Sequence, residues 1–318
     1  MTAFYSALVR DDKDQVMSLR FIDNPIPRSV YDRFKNACFS DISFGEIDAE
    51  QLIALMHKAK IKLIEPSNEN DKSITFSGLD IKQAQSIRRH VIKQYNITNA
   101  YRVKMEIETI AAKYKSGKSV LDISRDMRLS PYFIFKNLAE HLHGKEVQKK
   151  LNILSLGQAR ASDLFDARMA HEYDEISVYD FESIAVQLQM AEVAAGHENN
   201  FVAFLRDDLG IKLKVQEELF EEAMRDGNHP VTPDALFLSP VEINGVRVRW
   251  IDFKAYCGTP LHFLAGRTQL QYAKYKKTYG DGFIVYEHGY VEPCEYPAVS
   301  ARALRSIIAQ GIQHGILV

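Results

Sequence analysis

Residues 232–255 read TPDALFLSPVEINGVRVRWIDFKA, and their reading decides the fold. Asp234-Ala-Leu-Phe-Leu is short, apolar and β-prone, and Val246-Arg-Val-Arg-Trp-Ile-Asp alternates apolar Val246, Val248 and Trp250 with Arg247 and Arg249. Between the two runs stands Asn244-Gly245, the dipeptide best suited to a type I′ hairpin turn, whose two central residues need positive φ. The expectation is a pair of antiparallel strands over 234–239 and 246–254. A strict two-residue turn pairs Asp234 with Ala255 and leaves Asp252 on the opposite face. A bulge is therefore expected, to bring the two aspartates together. Because side chains alternate along a strand, Asp252 and Lys254 face one side while Phe253 turns into the other layer.

Hard oxygen ligands from Asp234 and Asp252, with the carbonyl of Phe253, suit Mg²⁺ or Mn²⁺, which keep several waters for a substrate phosphate and a nucleophile. Lys254 would stand beside such an ion as a point charge against a developing phosphorane and orient the attacking water. Upstream, a long helix read over about 177–208 contains Gly196-His197-Glu198, and Glu198 can reach the same ion directly or through water. His197 reads as a packing or surface residue. Downstream, a helix over about 263–279 contains Gln269-Leu-Gln271-Tyr-Ala-Lys-Tyr275, which stacks Gln271 and Tyr275 on one face. With Lys274, Lys276 and Lys277 alongside, that helix would line a channel for a phosphate backbone. Strands over 211–216 and 282–287, an irregular segment between 216 and 234, a helix over 299–309 and a short terminal strand complete the second half of the chain.

The first half reads as mostly helical. Residues 48–63, DAEQLIALMHKAKIKL, carry apolar residues at helical intervals, residues 67–73 form a polar loop, and a further helix opens near Asp80. Its charges at Lys82, Arg88, Arg89 and Lys93 read as a solvated face. Residues 119–142 have the cadence of a helix-turn-helix, with a turn around Met127-Arg128-Leu129, Ser130 as N-cap and Pro131 as first helical residue. The second helix of such a motif would offer Tyr132, Lys136 and Asn137 to a nucleic-acid groove. The expected division is a helical N-terminal region over 1–150 and a second domain over 160–318, with the boundary near residue 160.

At 318 residues, 46% apolar and 26% charged, the chain has the composition of a soluble globular protein of one large or two ordinary domains. No apolar stretch approaches the roughly 18 residues of a membrane span, and the start lacks a signal-peptide pattern, so no membrane association and an intracellular location are expected. Forty basic residues against forty-two acidic ones give no global basic field, so a nucleic-acid surface has to be a local patch. Cys38, Cys257 and Cys294 are too few and too scattered for a disulfide framework or a zinc site.

Taken in order, Glu198, Pro233-Asp234, Asp252-Phe253-Lys254 and Gln271 with Tyr275 resemble the PD-(D/E)xK nuclease superfamily in its RecB-like branch. TPDALFL (232–238), WIDFKA (250–255), QYAKYKKTYGDGFIVY (271–286) and AGHE (195–198) are similar, more narrowly, to the TPD family, to which a codanin-interacting nuclease belongs. The likeness covers roughly residues 100–290, and residues 1–75 match nothing in it. The resemblance implies an α/β, restriction-endonuclease-like core with a helical N-terminal half containing the helix-turn-helix. It implies catalytic Asp234, Asp252 and Lys254, with Glu198 as the additional acidic residue and Gln271 with Tyr275 as the accessory helix motif. Asp234, Asp252, Glu198 and Phe253 become the metal ligands. Lys136, Asn137, Lys274 and Lys277 become nucleic-acid contacts. The implied activity is Mg²⁺- or Mn²⁺-dependent hydrolysis of phosphodiester bonds, in DNA before RNA, by in-line water attack leaving a 5′-phosphate and a 3′-hydroxyl. A eukaryotic source would bring a codanin-like protein partner and a nuclear and cytoplasmic location. Where many superfamily members have glutamate, Asp252 is shorter by one methylene. The alternatives are a catalytically silent nucleic-acid-binding or scaffolding protein of the same fold, and a transcription factor acting through the N-terminal helices.

Overall fold

The computed structural model describes residues 9–10, 17–65 and 78–313, so the polar loop expected at 67–73 and the short terminal strand lie outside the described residues. In chain order the elements are β1 (Val9–Arg10), β2 (Met17–Leu19), α1 (Arg28–Ser40), α2 (Ala49–Lys58), β3 (Lys62–Leu63), β4 (Gly78–Leu79), α3 (Ile81–Met105), α4 (Ile107–Lys115), α5 (Val120–Met127), α6 (Pro131–His143), α7 (Val147–Ser155), α8 (Ala161–Leu164) and α9 (Ala167–Tyr179). They continue as α10 (Ile184–Ala203), which ends in a π-helical turn over 204–208, β5 (Leu213–Val215), α11 (Gln216–Arg225), β6 (Ala235–Ile243), β7 (Val246–Lys254), α12 (His262–Tyr279), β8 (Gly282–Tyr286), β9 (Ala298–Ser300) and α13 (Ala301–Gln313). The result is a mixed α/β fold with a curled mixed sheet. No helix among the described residues is long and apolar enough to cross a membrane.

Contacts group residues 1–33, 60–87 and 194–318 into one compact unit, and residues 34–59 and 88–193 into another. This differs from a linear cut near residue 160. The reason lies in the sheet: β2, from the start of the chain, pairs in parallel with Val241–Ile243 of β6.

The sheet unit runs β1-β2-β6-β7-β8-β9, with β5 also paired to β6. Asn244 and Gly245 both take positive φ, as the hairpin turn requires. Between Leu236 and Val241 the register of β6 against β7 shifts: β6 advances five residues where β7 advances two. The shift falls where β6 exchanges its neighbour, from β5 beside Ala235–Phe237 to β2 beside Val241–Ile243. Pro240 sits there, and it has no N–H to give to a ladder. Three extra residues, an odd number, invert the faces. Val248 therefore joins the core built from Phe201, Phe237, Ile251, Phe253 and Leu304, whereas Trp250 lies on the other face with Tyr272, Tyr275, Ile284 and Tyr286. Val246, Val248 and Trp250 thus do not share one face. Parallel β7 and β8 need a crossover, and α12 supplies it, covering the Trp250 face.

In the helical unit α5 and α6 are joined by residues 128–130, with Arg128 left-handed at φ 52°. Ser119 and Ser130 cap the two helices, and Pro131 opens the second. The long helix expected from about 177 is interrupted by Asp180, which is fully buried. Its carboxylate accepts from Ser130 Oγ at 2.6 Å, Tyr132 N–H at 2.9 Å and Glu182 N–H at 2.8 Å, and so clamps the start of α6. Burial raises its pKa above the ordinary carboxylate value, while these donors pull the other way. Asp180→Ala strands three donors. It is expected to destabilise the protein by about 3 kcal/mol, seen as a lower urea midpoint. The charges on α3 correct the solvated-face reading in part. Arg88 is buried, and its Nη2 donates to the carbonyls of Ser43 at 2.7 Å and Gly45 at 2.9 Å, while Arg89 pairs with Glu46 at 2.7 Å.

Candidate active site

Continuing the register of Ala235 against Ile251 places Asp234 opposite Asp252 at one end of the hairpin, which is what the odd shift accomplishes. The two carboxylates are held differently. Asp234 Oδ2 accepts the N–H of Phe253 at 2.6 Å, so the backbone of the lysine strand fixes it directly. Asp252, 1% exposed, lies 2.5 Å from Lys254 Nζ through Oδ2 and accepts from Gln271 Nε2 at 3.2 Å through Oδ1. Phe253 points the other way and stacks on Phe201 of α10, ring centroids 4.9 Å apart. The apolar middle residue of the tripeptide thereby anchors the strand while its neighbours face the site.

Helix α12 closes the site from the Trp250 face. Gln271 Nε2 donates also to Tyr275 Oη at 2.8 Å, and the Tyr275 hydroxyl donates in turn to the carbonyl of Thr232 at 3.0 Å. One turn further, Tyr279 Oη donates to the carbonyl of Val231 at 2.6 Å. Tyr279 was not among the residues expected from the sequence, although the spacing 271, 275, 279 is a signal that would have found it. Glu287, Arg305 and Thr232 were also missed. Glu287 donates its N–H to the carbonyl of Lys254 at 2.9 Å, accepts Arg305 through both oxygens at 2.9 and 3.0 Å, and lies 3.6 Å from His197. His197 precedes Glu198, so this cluster ties the glutamate's helix to the lysine strand.

Glu198 is half-buried and close enough to Asp234 to share a hydrogen bond with it. Three acids thus face one lysine, and their titration reflects it. Burial, then the charges of Asp252 and Glu198, push Asp234 up to about 8, against the opposing Lys254 charge and Phe253 N–H. Burial likewise raises Asp252 and Glu198, and the Lys254 charge works against it in both. Burial alone would lower Lys254, but the charges of Asp252 and Asp234 outweigh it and raise the ammonium. Burial, followed by the charge of Asp252, pushes Tyr275 up to about 12.

Among the described residues no group of three or more His, Cys, Asp or Glu is gathered as a metal cage. Mg²⁺ does not ask for one, since it characteristically takes one or two carboxylates and keeps its waters. The donors at this end of the hairpin, all hard oxygens with excess negative charge, fit that chemistry. The expected nucleic-acid contacts fall in both units. Lys274 and Lys277 are exposed on α12, and Lys274 also reaches the carbonyl of Pro230 at 3.4 Å. On α6, Tyr132 is buried, which removes it from any groove, while Lys136 and Asn137 are half-buried and Asn137 donates to its own helix at Phe133.

Residues 165–305 match the sequence model of a family described as "Protein of unknown function TPD sequence-motif", which spans every residue of this site. A stretch of 90 residues is 32% identical to the uncharacterized protein L539 of Acanthamoeba polyphaga mimivirus, covering 27% of this chain and 31% of that protein. No solved structure matches the chain.

Proposed function

With residues 165–305 supporting membership of the TPD family, we propose that the protein is a divalent-metal-dependent nuclease on a restriction-endonuclease-like core. The observation that carries this reading is the convergence of Asp234 and Asp252 on one face of the hairpin with Lys254 2.5 Å from Asp252. Asp234, Asp252 and the Phe253 carbonyl would hold Mg²⁺ or Mn²⁺, with Glu198 reaching it directly or through one of its waters. When bound, the cation would supply Lewis acidity toward the scissile phosphate and lower the pKa of the attacking water. Lys254 supplies a fixed positive charge next to the phosphate, where charge builds as water adds to phosphorus and the bond to the 3′ oxygen breaks. The leaving oxygen takes a proton to become a 3′-hydroxyl, and the phosphate stays on the 5′ side. Gln271 keeps Asp252 oriented through its 3.2 Å hydrogen bond. The exposed Lys274 and Lys277 give the backbone of DNA, favoured over RNA, a local cationic track on an otherwise balanced chain.

A panel of end-labelled single-stranded, duplex, flap and junction DNA and of RNA, incubated with Mg²⁺ or Mn²⁺, tests the proposal. Cleavage that leaves 5′-phosphates and stops in EDTA is expected. No cleavage of any substrate with either metal would sink the enzymatic reading in favour of a binding or scaffolding role.

A further inference from the structure

Helix α12 does more than meet Asp252. Three of its side chains reach three consecutive backbone carbonyls of the segment that leads into Asp234: Lys274 Nζ to Pro230 at 3.4 Å, Tyr279 Oη to Val231 at 2.6 Å and Tyr275 Oη to Thr232 at 3.0 Å. The segment has no helix or strand of its own from residue 228 until β6 begins at Ala235. Its carbonyls would otherwise look to water, and its φ/ψ would be free to wander. Asp234 follows this segment and has to meet the N–H of Phe253 at 2.6 Å. The helix side of the clasp is rigid: Tyr275 stands edge-on to fully buried Trp250 with centroids 5.1 Å apart, and the Trp250 indole donates to the carbonyl of Gly280 at the end of α12.

We infer that α12 is a positioning helix for Asp234, with Tyr279 and Lys274 as positioning residues alongside Tyr275. They act on the carboxylate through the 230–232 carbonyls, the two tyrosines without touching the substrate. The inference rests on the proposed cation-dependent site for its catalytic consequence, but the clasp itself is a property of the fold. Lys274 then has a role besides any contact with a phosphate backbone. The clasp also explains why the residues recur at 271, 275 and 279: one face of the helix holds Asp252 through Gln271 and Asp234 through the two tyrosines.

The test compares the full-length parent with Tyr279→Phe, with the double variant Tyr279→Phe and Lys274→Met, and with Tyr272→Phe as a control on the same helix. Phenylalanine keeps the ring and removes only the hydroxyl that reaches Val231. Three readouts are taken: amide exchange of the peptide spanning 229–236, Mn²⁺ affinity by electron paramagnetic resonance, and kcat and KM on the substrate cut best. A lost hydrogen bond of ordinary net strength predicts exchange faster by about threefold to tenfold and Mn²⁺ affinity weaker by a similar factor, with kcat lowered and KM unchanged. The double variant should show the larger effect on exchange and Mn²⁺ affinity, its KM rising as well where Lys274 leaves the phosphate track, and Tyr272→Phe none. Exchange in Tyr279→Phe equal to that of the parent overturns the inference, as does, in that single variant, a raised KM with unchanged kcat and Mn²⁺ affinity, which would put the Tyr279 hydroxyl on the substrate. Should the parent bind no Mn²⁺ and cut nothing while exchange still responds to Tyr279→Phe, the nuclease reading fails and the clasp stands.

Discussion

Asp234→Asn is expected to give a folded protein that has lost nearly all turnover and yet resists denaturation better than the parent at alkaline pH. Asp234 is 8% exposed and faces Asp252 and Glu198, so without a cation its pKa is pushed up to about 8 from an ordinary 3.8. A raised folded-state pKa means that the folded protein holds a proton which the unfolded chain has released. Between about pH 4 and pH 8 the parent therefore loses stability as pH rises. Asparagine resembles the protonated acid: its carbonyl still accepts the Phe253 N–H, and its amide can donate to Glu198. In EDTA the urea midpoint of Asp234→Asn should match the parent near pH 4 and exceed it increasingly up to pH 8 and beyond. Turnover in Mg²⁺ should fall by about 10³-fold, because the neutral amide is a poor ligand for a hard cation and the charge that positions it is gone. A parent whose stability is level across this range, or an Asp234→Asn variant that still cuts, would contradict the assignment of this residue.

Gly282→Ala is expected to cost the sheet unit more stability than other single methyl additions, by about 3 kcal/mol. Gly282 pairs with Trp250 across parallel strands β7 and β8, and a Cβ built there would lie 2.2 Å from the indole ring. Trp250 cannot retreat. It is 0% exposed, donates to the Gly280 carbonyl at 2.9 Å, and packs between Tyr272 and Tyr275 at centroid distances of 5.4 and 5.1 Å. The methyl group has to push either the indole or β8, and Asp252 stands two residues from that indole along β7. The chain has one tryptophan, so its fluorescence reports the change without ambiguity. A red-shifted emission with a lowered urea midpoint is expected, and an unchanged spectrum and midpoint would show that β8 yields without disturbing the site.

Trp250 also marks how far the sequence could be read. The hairpin was legible because its signals are local: Asn244-Gly245 requires positive φ, and the flanking runs alternate. The need for a bulge followed from parity alone, since without one the two aspartates fall on opposite faces. Its size and place did not follow, because they depend on β6 changing partner from β5 to β2, and β2 comes from more than two hundred residues earlier. For the same reason Val248 and Trp250 were read onto one face and lie on two. Helix α11, read as irregular, buries only Leu219 among its ten residues, so its short acidic stretch offered a weak apolar signal. Asp180 interrupts a helix because its buried carboxylate serves Ser130 and Tyr132, partners about fifty residues away. At the site, residue types and spacings pointed to Asp234, Asp252, Lys254 and Gln271. The supporting Tyr279, Glu287 and Arg305 became visible only through the contacts they make.

Lys254 is the cation that, among the described residues, stands against Asp234, Asp252 and Glu198 at the hairpin end. The most direct test of its role is a single-turnover cleavage assay on labelled DNA in Mg²⁺, with the parent and Lys254→Met prepared side by side and substrate binding measured on the same samples. Mg²⁺-dependent cleavage by the parent is expected, with a rate lower by about 10³-fold in Lys254→Met and binding within about threefold of the parent. Cleavage by Lys254→Met at the parent's rate, or cleavage by the parent that persists in EDTA, would contradict the proposal.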